Sequence, residues 1–193
     1  ISSSVDTNKF LPINNYTNDK IIKIGWTGTF SSKAYLDLLV PVFTKLKKRN
    51  NFRVKVISNF DYEIHGIDCE TVYWTKEKEV EDLQEIDIGV YPLEDNQWVL
   101  GKSGLKAIQY MAFGIPTVAS NVGSNSEIIT HLENGWLVST EEEWLKALET
   151  LINEPVLRKR LGKNARKTVQ ERYSLDTIGS KYLNILNEQV NGK

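Results

Sequence analysis

The sequence predicts an α/β domain: a doubly wound parallel sheet of about six strands with helices on both faces and a helical C-terminal end. Three observations carry that expectation. Short β-branched runs alternate with stretches of helical spacing. Some runs, such as Ile86 to Tyr91 with Asp87 its one charged residue, are nearly continuous in apolar residues, as strands covered on both faces are. The chain has 193 residues, 40% hydrophobic and 25% charged, which suits one globular domain with a sizeable core.

Taken in order, Ile21 to Trp26 reads as the first strand, followed by Leu36, Leu38, Leu39, Val42, Phe43 and Leu46 at helical spacing. Phe52 to Ile57 and Glu70 to Trp74 read as strands, Val80 to Leu83 as a short helix, and Ile86 to Tyr91 as a buried strand. Gly104 to Phe113 reads as a helix stopped by Gly114-Ile115-Pro116, and Ile115 to Ala119 as the next strand. Ser124 with Glu127 matches a capping box opening a helix from Ile128 to Leu132, and Thr140 with Glu143 opens another through Leu151. Trp136 to Val138 forms a sixth strand between them. Pro155 to Leu186 is helical, and Arg158, Lys159, Arg160, Lys163, Arg166 and Lys167 read as its solvated face.

Charge and composition narrow the function. With 24 Lys and Arg against 25 Asp and Glu, the net charge of -1 provides no field for nucleic acid. One cysteine, Cys69, excludes an intrachain disulfide and thiolate metal clusters, as expected in a reducing compartment. No run approaches the length of a membrane span, and the first residues lack the charge and apolar core of a signal peptide. His65 and His131 stand alone, so no metal is expected. Residues 1–20, with Asn14, Asn15, Thr17, Asn18 and Asp19, read as an interdomain linker segment, and residues 21–193 as the domain.

In doubly wound sheets, ligands sit outside the carboxyl ends of the strands. That rule singles out the loops 25–33, 74–77, 92–104 and 120–126. The longest, Pro92 to Gly104, delivers Gly101, Lys102, Ser103 and Gly104 to a helix start, where backbone N–H groups, the helix dipole and the lysine charge favour a phosphate. The bland alternative is a glycine turn with a solvated lysine. A Walker loop is excluded, because Asn96 stands where its first glycine belongs and the loop does not follow the first strand.

Several segments also resemble a known family. Gln109-Tyr110-Met111-Ala112-Phe113-Gly114-Ile115-Pro116-Thr117-Val118-Ala119 is similar to the Glu-Ala-Met-Ala-x-Gly-x-Pro-Val-Val-Ala signature of group 1 retaining glycosyltransferases, which have the GT-B fold of two Rossmann-like domains. Val122 to Ile129 resembles that family's Val-Gly-Gly-x-x-Glu-Ile-Ile, Asn134 to Val138 its Asn-Gly-x-Leu-Val, and Ser4 to Pro12 its Gly-Val-Asp-x-x-x-Phe-x-Pro. The resemblance covers the C-terminal, donor-binding half of such enzymes. It implies a nucleotide-diphosphate sugar as donor substrate, no cofactor, a partner N-terminal acceptor-binding domain outside these residues, and a cytoplasmic setting at the inner face of the membrane with peripheral association of the full-length enzyme.

The same resemblance implies site residues, with departures. The family's Glu, seven residues, Glu motif falls on Gly101 and Gln109; the amide of Gln109 can still bond ribose hydroxyls, and Glu94 or Asp95 is the substitute for the carboxylate absent at Gly101. After the first strand, Gly28 and Thr29 stand where the family has Gly-Arg, and Lys33 falls one residue short of its Lys. Lys102 is then the expected replacement cation, with Lys106 a weaker one and Leu105 at the helix start. Trp74 and Thr75 fall where the base is contacted, and Trp74 or Tyr73 offers a stacking face. Nothing in the sequence separates uracil from guanine.

The reading that follows is the donor half of a retaining, hexosyl-type glycosyltransferase in surface polysaccharide assembly, inactive without its other half. Two alternatives stay open. One is a catalytically silent nucleotide-binding or interaction module, suggested by the two lost carboxylates; the other is a sugar-nucleotide epimerase of the same fold.

Overall fold

A computed structural model describes residues 2–12 and 21–191. Six parallel strands, β1 (Ile22–Thr27), β2 (Phe52–Ser58), β3 (Cys69–Tyr73), β4 (Ile88–Tyr91), β5 (Thr117–Ser120) and β6 (Trp136–Val138), form one sheet in the order β3-β2-β1-β4-β5-β6. The expected doubly wound α/β architecture is present. Ile22 pairs with Phe52 on one side of β1 and Ile24 with Ile88 on the other, so connections leave the two central strands in opposite directions. That reversal opens a crevice at the carboxyl ends of β1 and β4.

Helices cover both faces. Against one pack α1 (Lys33–Asp37), α2 (Val40–Leu46) and α7 (Glu141–Asn153), through Leu36, Phe43 and Leu148 onto Ile24, Val54, Ile88 and Val118. Against the other pack α3 (Glu79–Gln84), α5 (Leu105–Ala112) and α8 (Pro155–Arg172), through Leu83, Ile108, Met111 and Val169 onto Ile57, Tyr91 and Ala119. Fully burying one such side chain contributes about 1.5–3 kcal/mol. The chain ends in α9 (Leu175–Asn191), and among the described residues no helix is long and apolar enough to cross a membrane.

Several local readings change. The stretch from Leu36 to Leu46 is two helices, because Pro41 has no N–H to give the preceding turn and its ring crowds the carbonyl four residues back. Ser124 is not a cap: its backbone is already helical, its hydroxyl donates to the Lys102 carbonyl at 2.7 Å, and the helix it precedes is α6 (Asn125–Ile128), closed by extended Ile129. The Ile128–Leu132 helix is therefore absent. The Thr140 box holds: Thr140 Oγ1 accepts from the Glu143 N–H at 3.2 Å, and Glu143 accepts from the Thr140 N–H at 3.3 Å. The C-terminal stretch breaks at Tyr173-Ser174 into α8 and α9.

Two charges of the supposed solvated face are also not on it. Arg158 is buried and donates to the carbonyls of Leu151 and Ile152 at the end of α7. Arg166 donates to Ala112 at the end of α5 and to Thr7 and Phe10. Each guanidinium satisfies carbonyls that a helix C-terminus leaves open, on the negative end of its dipole. Arg166 also pins the N-terminal segment. There Val5 bridges to Ser174, and the Phe10 ring meets Phe113 edge-on at 5.0 Å. Residues 2–12 of the expected linker thus pack on the domain, while its Asn14, Asn15, Thr17, Asn18 and Asp19 lie outside the described residues.

Candidate functional site

At the end of β1, the Thr27 N–H donates to the Tyr110 hydroxyl at 2.8 Å and the Gly28 N–H to the Ile57 carbonyl at 3.0 Å. A Cβ at Gly28 would run into the Trp26 ring and lie 2.7 Å from Ser32 Oγ, so only glycine lets the chain cross there. Thr29 then opens a 3-10 turn, Phe30–Ser32, with its N–H on Ser32 Oγ at 3.2 Å. Its own Oγ1 lies 2.9 Å from Ser31 Oγ.

The loop after β4 holds an element the sequence did not announce, the one-turn helix α4 (Gln97–Leu100). Asn96 caps it by accepting from the Val99 N–H at 3.0 Å, and Gly101 closes it. The chain then turns through Lys102 and Ser103 to Gly104, whose φ of +69° favours glycine and where a Cβ would strike Ile128. From there α5 begins, and its first N–H groups have no acceptor within the helix.

Two lysines stand one turn apart at that helix start. Lys102 Nζ lies 5.1 Å from the centre of the Tyr35 ring. Lys106 Nζ lies 4.7 Å from the Trp26 ring, 5.8 Å from Tyr91 and 3.4 Å from Ser32 Oγ. Among the described residues neither forms an ion pair with a carboxylate. Burial, with Lys102 alongside, pulls the Lys106 ammonium down to about 8. Aromatic faces attract a cation but leave its charge in place. The crevice therefore joins two uncompensated ammonium groups to open backbone N–H groups, an arrangement that binds an anion.

The remaining candidates distribute unevenly. Lys33 is held on α1 by Asp37 at 2.8 Å, and the same carboxylate accepts from the Tyr62 hydroxyl at 2.8 Å. Gln109 Nε2 donates to Glu79 Oε1 at 3.3 Å, and Glu79 Oε2 pairs with Lys9 at 3.4 Å. Glu94 accepts from Asn96 Nδ2 at 3.3 Å, and Asp95 is exposed beside it. Trp74 and Tyr73 are exposed at the end of β3, the Trp74 N–H donating to Ser58 at 2.9 Å, and Thr75 Oγ1 accepts from the Lys78 N–H at 3.3 Å. Edge strand β3 is separated from β4 by β2 and β1, so Trp74 lies along the carboxyl edge of the sheet to one side of the β1–β4 crevice that holds Lys106.

Sequence reasoning ranked Lys106 below Lys102 and missed Trp26 and Tyr91 beside Lys106, Tyr35 beside Lys102 and Glu79 beside Gln109. The four-residue spacing of the two lysines was the available signal. The hydroxyl and amide partners come from distant elements and left none.

The family pattern of glycosyl transferases group 1 matches residues 10–168. The chain belongs to this family. Among relatives, glycosyltransferase 1 domain-containing protein 1 of Xenopus tropicalis is 36% identical over 134 residues, 60% of this chain and 39% of that protein. N-acetyl-alpha-D-glucosaminyl L-malate synthase of Bacillus anthracis is 29% identical over 96 residues, 47% of this chain and 25% of that protein. The group 1 domain thus spans less than half the length of these curated relatives.

Its fold is that of the C-terminal domain of the group 1 family protein LpcC from Francisella tularensis, with a TM-score of 0.68 at 22% identity over 89% of this chain and 99% of that one. Sucrose-phosphate synthase from Thermosynechococcus elongatus gives a TM-score of 0.78 at 18% identity over 99% of this chain and 52% of that one. Anabaena Alr3699/HepE in complex with UDP-glucose gives 0.73 at 13% identity, covering 96% and 56%.

Proposed function

We propose that this domain binds the nucleotide-diphosphate sugar donor of a retaining glycosyltransferase of hexosyl type, and that the acceptor is held by the N-terminal half of a longer protein. The observation that carries the reading is the pair Lys102 and Lys106, ammonium groups without carboxylates at the start of α5. The N–H groups of Leu105 and Lys106, with Ser103 and Gly104 beside them, take the diphosphate, and Gly28 and Thr29 let the opposite loop approach it. Gln109 faces the ribose, Trp74 and Thr75 the base, and Glu94 or Asp95 the sugar hydroxyls. Lys33, tied to Asp37, contributes less.

In the reaction the bond between the anomeric carbon and the β-phosphate oxygen breaks, the acceptor oxygen bonds to that carbon on the same face, and the acceptor's proton passes to the departing diphosphate oxygen. Charge grows on the departing diphosphate, and fixed ammonium groups stabilise it there more than in the ground state. Two lysines do the charge compensation that a divalent cation supplies in other diphosphate sites, and no cofactor takes part. Membership of the family supports transfer, and the UDP-glucose complex of Alr3699/HepE supports the donor class. A role in surface polysaccharide assembly at the cytoplasmic face of the membrane, with peripheral association, completes the reading.

A thermal-shift screen against UDP, GDP, ADP and their nucleosides tests it, since a ligand at a hundred times its dissociation constant adds about 2.7 kcal/mol. Diphosphates should stabilise and nucleosides should not. One observation favours a second reading: Gly101 and Gln109 stand where the family has carboxylates. In a silent nucleotide-binding module the screen succeeds while the full-length protein transfers nothing.

A further inference from the structure

We propose that Glu79, in the first turn of α3, is the carboxylate that recognises the ribose diol of the donor, acting beside Gln109. The inference rests on the nucleotide-diphosphate reading above. α3 and α5 pack on the same face of the sheet, and both begin near its carboxyl edge, one on each side of the crevice. Their side chains meet there: the Gln109 amide donates to Glu79 Oε1 at 3.3 Å.

The position along α5 suits a sugar next to a phosphate. Lys106 and Gln109 are three residues apart, so they share a helix face with a rise of about 4.5 Å between them. A nucleotide whose phosphates meet Lys106 carries its ribose toward Gln109 and Glu79. The chemistry of the pair suits a diol as well. Two adjacent hydroxyls offer two donors, and an ionised carboxylate is acceptor-only with about four lone-pair sites. Glu79 uses two of those, at 3.3 Å and 3.4 Å, the second on an exposed lysine, and its side chain is 16% exposed, mostly shielded but still open to solvent. The Gln109 amide oxygen can accept one hydroxyl while its NH₂ holds the carboxylate in place. Lys9, from the N-terminal segment, is a positioning residue that fixes the other carboxylate oxygen.

The test compares UDP, GDP and ADP with their 2′,3′-dideoxy counterparts by calorimetric titration, on wild type, Glu79→Gln and Lys9→Ala, with melting temperatures as a check of folding. Wild type should prefer the ribonucleotide by at least about tenfold, the scale of one charge-assisted hydrogen bond. Glu79→Gln should reduce that preference by about tenfold and leave the dideoxynucleotide affinity within about threefold. Lys9→Ala should reduce it less. An unchanged preference in Glu79→Gln overturns the proposal, as does a wild type that binds both forms equally; in either case the donor reading stands. If no diphosphate binds wild type, the donor reading fails and this proposal falls with it.

Discussion

Lys55 and Lys106 are both lysines drawn out of water over the same parallel sheet, and their neighbours differ in one respect. Lys55, in the middle of β2, is 1% exposed, with Glu85 at 2.9 Å, Glu70 at 3.7 Å and Asp82 at 3.9 Å. Lys23 shares Glu85 and Glu70 with it, and the hydrogen bonds from Lys23 and Lys55 hold the Glu85 carboxyl down at about 2. Lys106 has rings, a hydroxyl and a second lysine around it, and no carboxylate among the described residues. The first cluster balances its charge inside the protein and fastens α3 to the sheet. The second leaves its charge for something that arrives from outside, and it lies at the crevice where such folds bind ligands. A buried cation is thus informative about function mainly through which counter-charges are absent.

Removing each lysine separates the two roles. Lys55→Ala leaves Asp82 without its ion-pair partner and Glu85 and Glu70, both part-exposed, still paired with Lys23, and should cost about 1–3 kcal/mol of stability in urea unfolding. The fraction that folds should bind nucleotide as before. Lys106→Met should do the reverse: diphosphate affinity falls by about 1.5–3 kcal/mol, about 10- to 150-fold, while stability holds or rises because a burial penalty disappears. A stability loss matching that of Lys55→Ala would place Lys106 with the structural cluster and break the distinction.

Titration sharpens the contrast, because the two clusters act at opposite ends of the pH scale. Glu85 has its folded pKa lowered from 4.5 to about 2, so its contribution is present above pH 4.5 and is lost as pH falls toward 2. Lys106 has its folded pKa lowered from 10.5 to about 8, so between those values the unfolded chain holds a proton that the folded one lacks, and stability rises with pH. Diphosphate affinity should fall over the same interval as the ammonium is lost. Lys106→Met should abolish both alkaline effects and leave the acid limb alone, as read by urea midpoints and calorimetry across pH.

The smallest effect is expected at Lys33. Its i,i+4 pair with Asp37 is exposed and worth about 0.2–0.5 kcal/mol, and its ammonium is already engaged. Lys33→Ala should change diphosphate affinity by less than about threefold, well inside the loss at Lys106. A loss as large as that at Lys106 would move the anion toward α1.

How much of this was legible in the sequence depends on how far each interaction reaches. The strands were readable because a run such as Ile88 to Tyr91 is buried on both faces and shows it in composition alone, and Ile22 to Trp26 departs from that only at Lys23. The Thr140 box was readable because its partner is three residues away. Ser124 has the same local pattern, yet its hydroxyl goes to a carbonyl 22 residues back, so it misled. Arg158 and Arg166 have the periodicity of a solvated face but find the carbonyls of other elements. At the site, the phosphate-binding helix start and Lys102 were legible from the glycine-rich loop. The Gln109 to Glu79 contact was not, since 30 residues and one strand separate the partners. That Lys106 lacks a carboxylate was illegible for the same reason, because an absent neighbour leaves no trace in a sequence.

The central claim, that uncompensated lysines at the start of α5 hold a diphosphate, is tested most directly by calorimetric titration of UDP, GDP and ADP and their nucleosides into wild type and the Lys102→Ala, Lys106→Met double variant. Wild type should bind one diphosphate at least about tenfold more tightly than its nucleoside, and the double variant, with its melting temperature unchanged or raised, should bind the two alike. A double variant that stays folded and keeps the wild-type preference for diphosphate would contradict the claim.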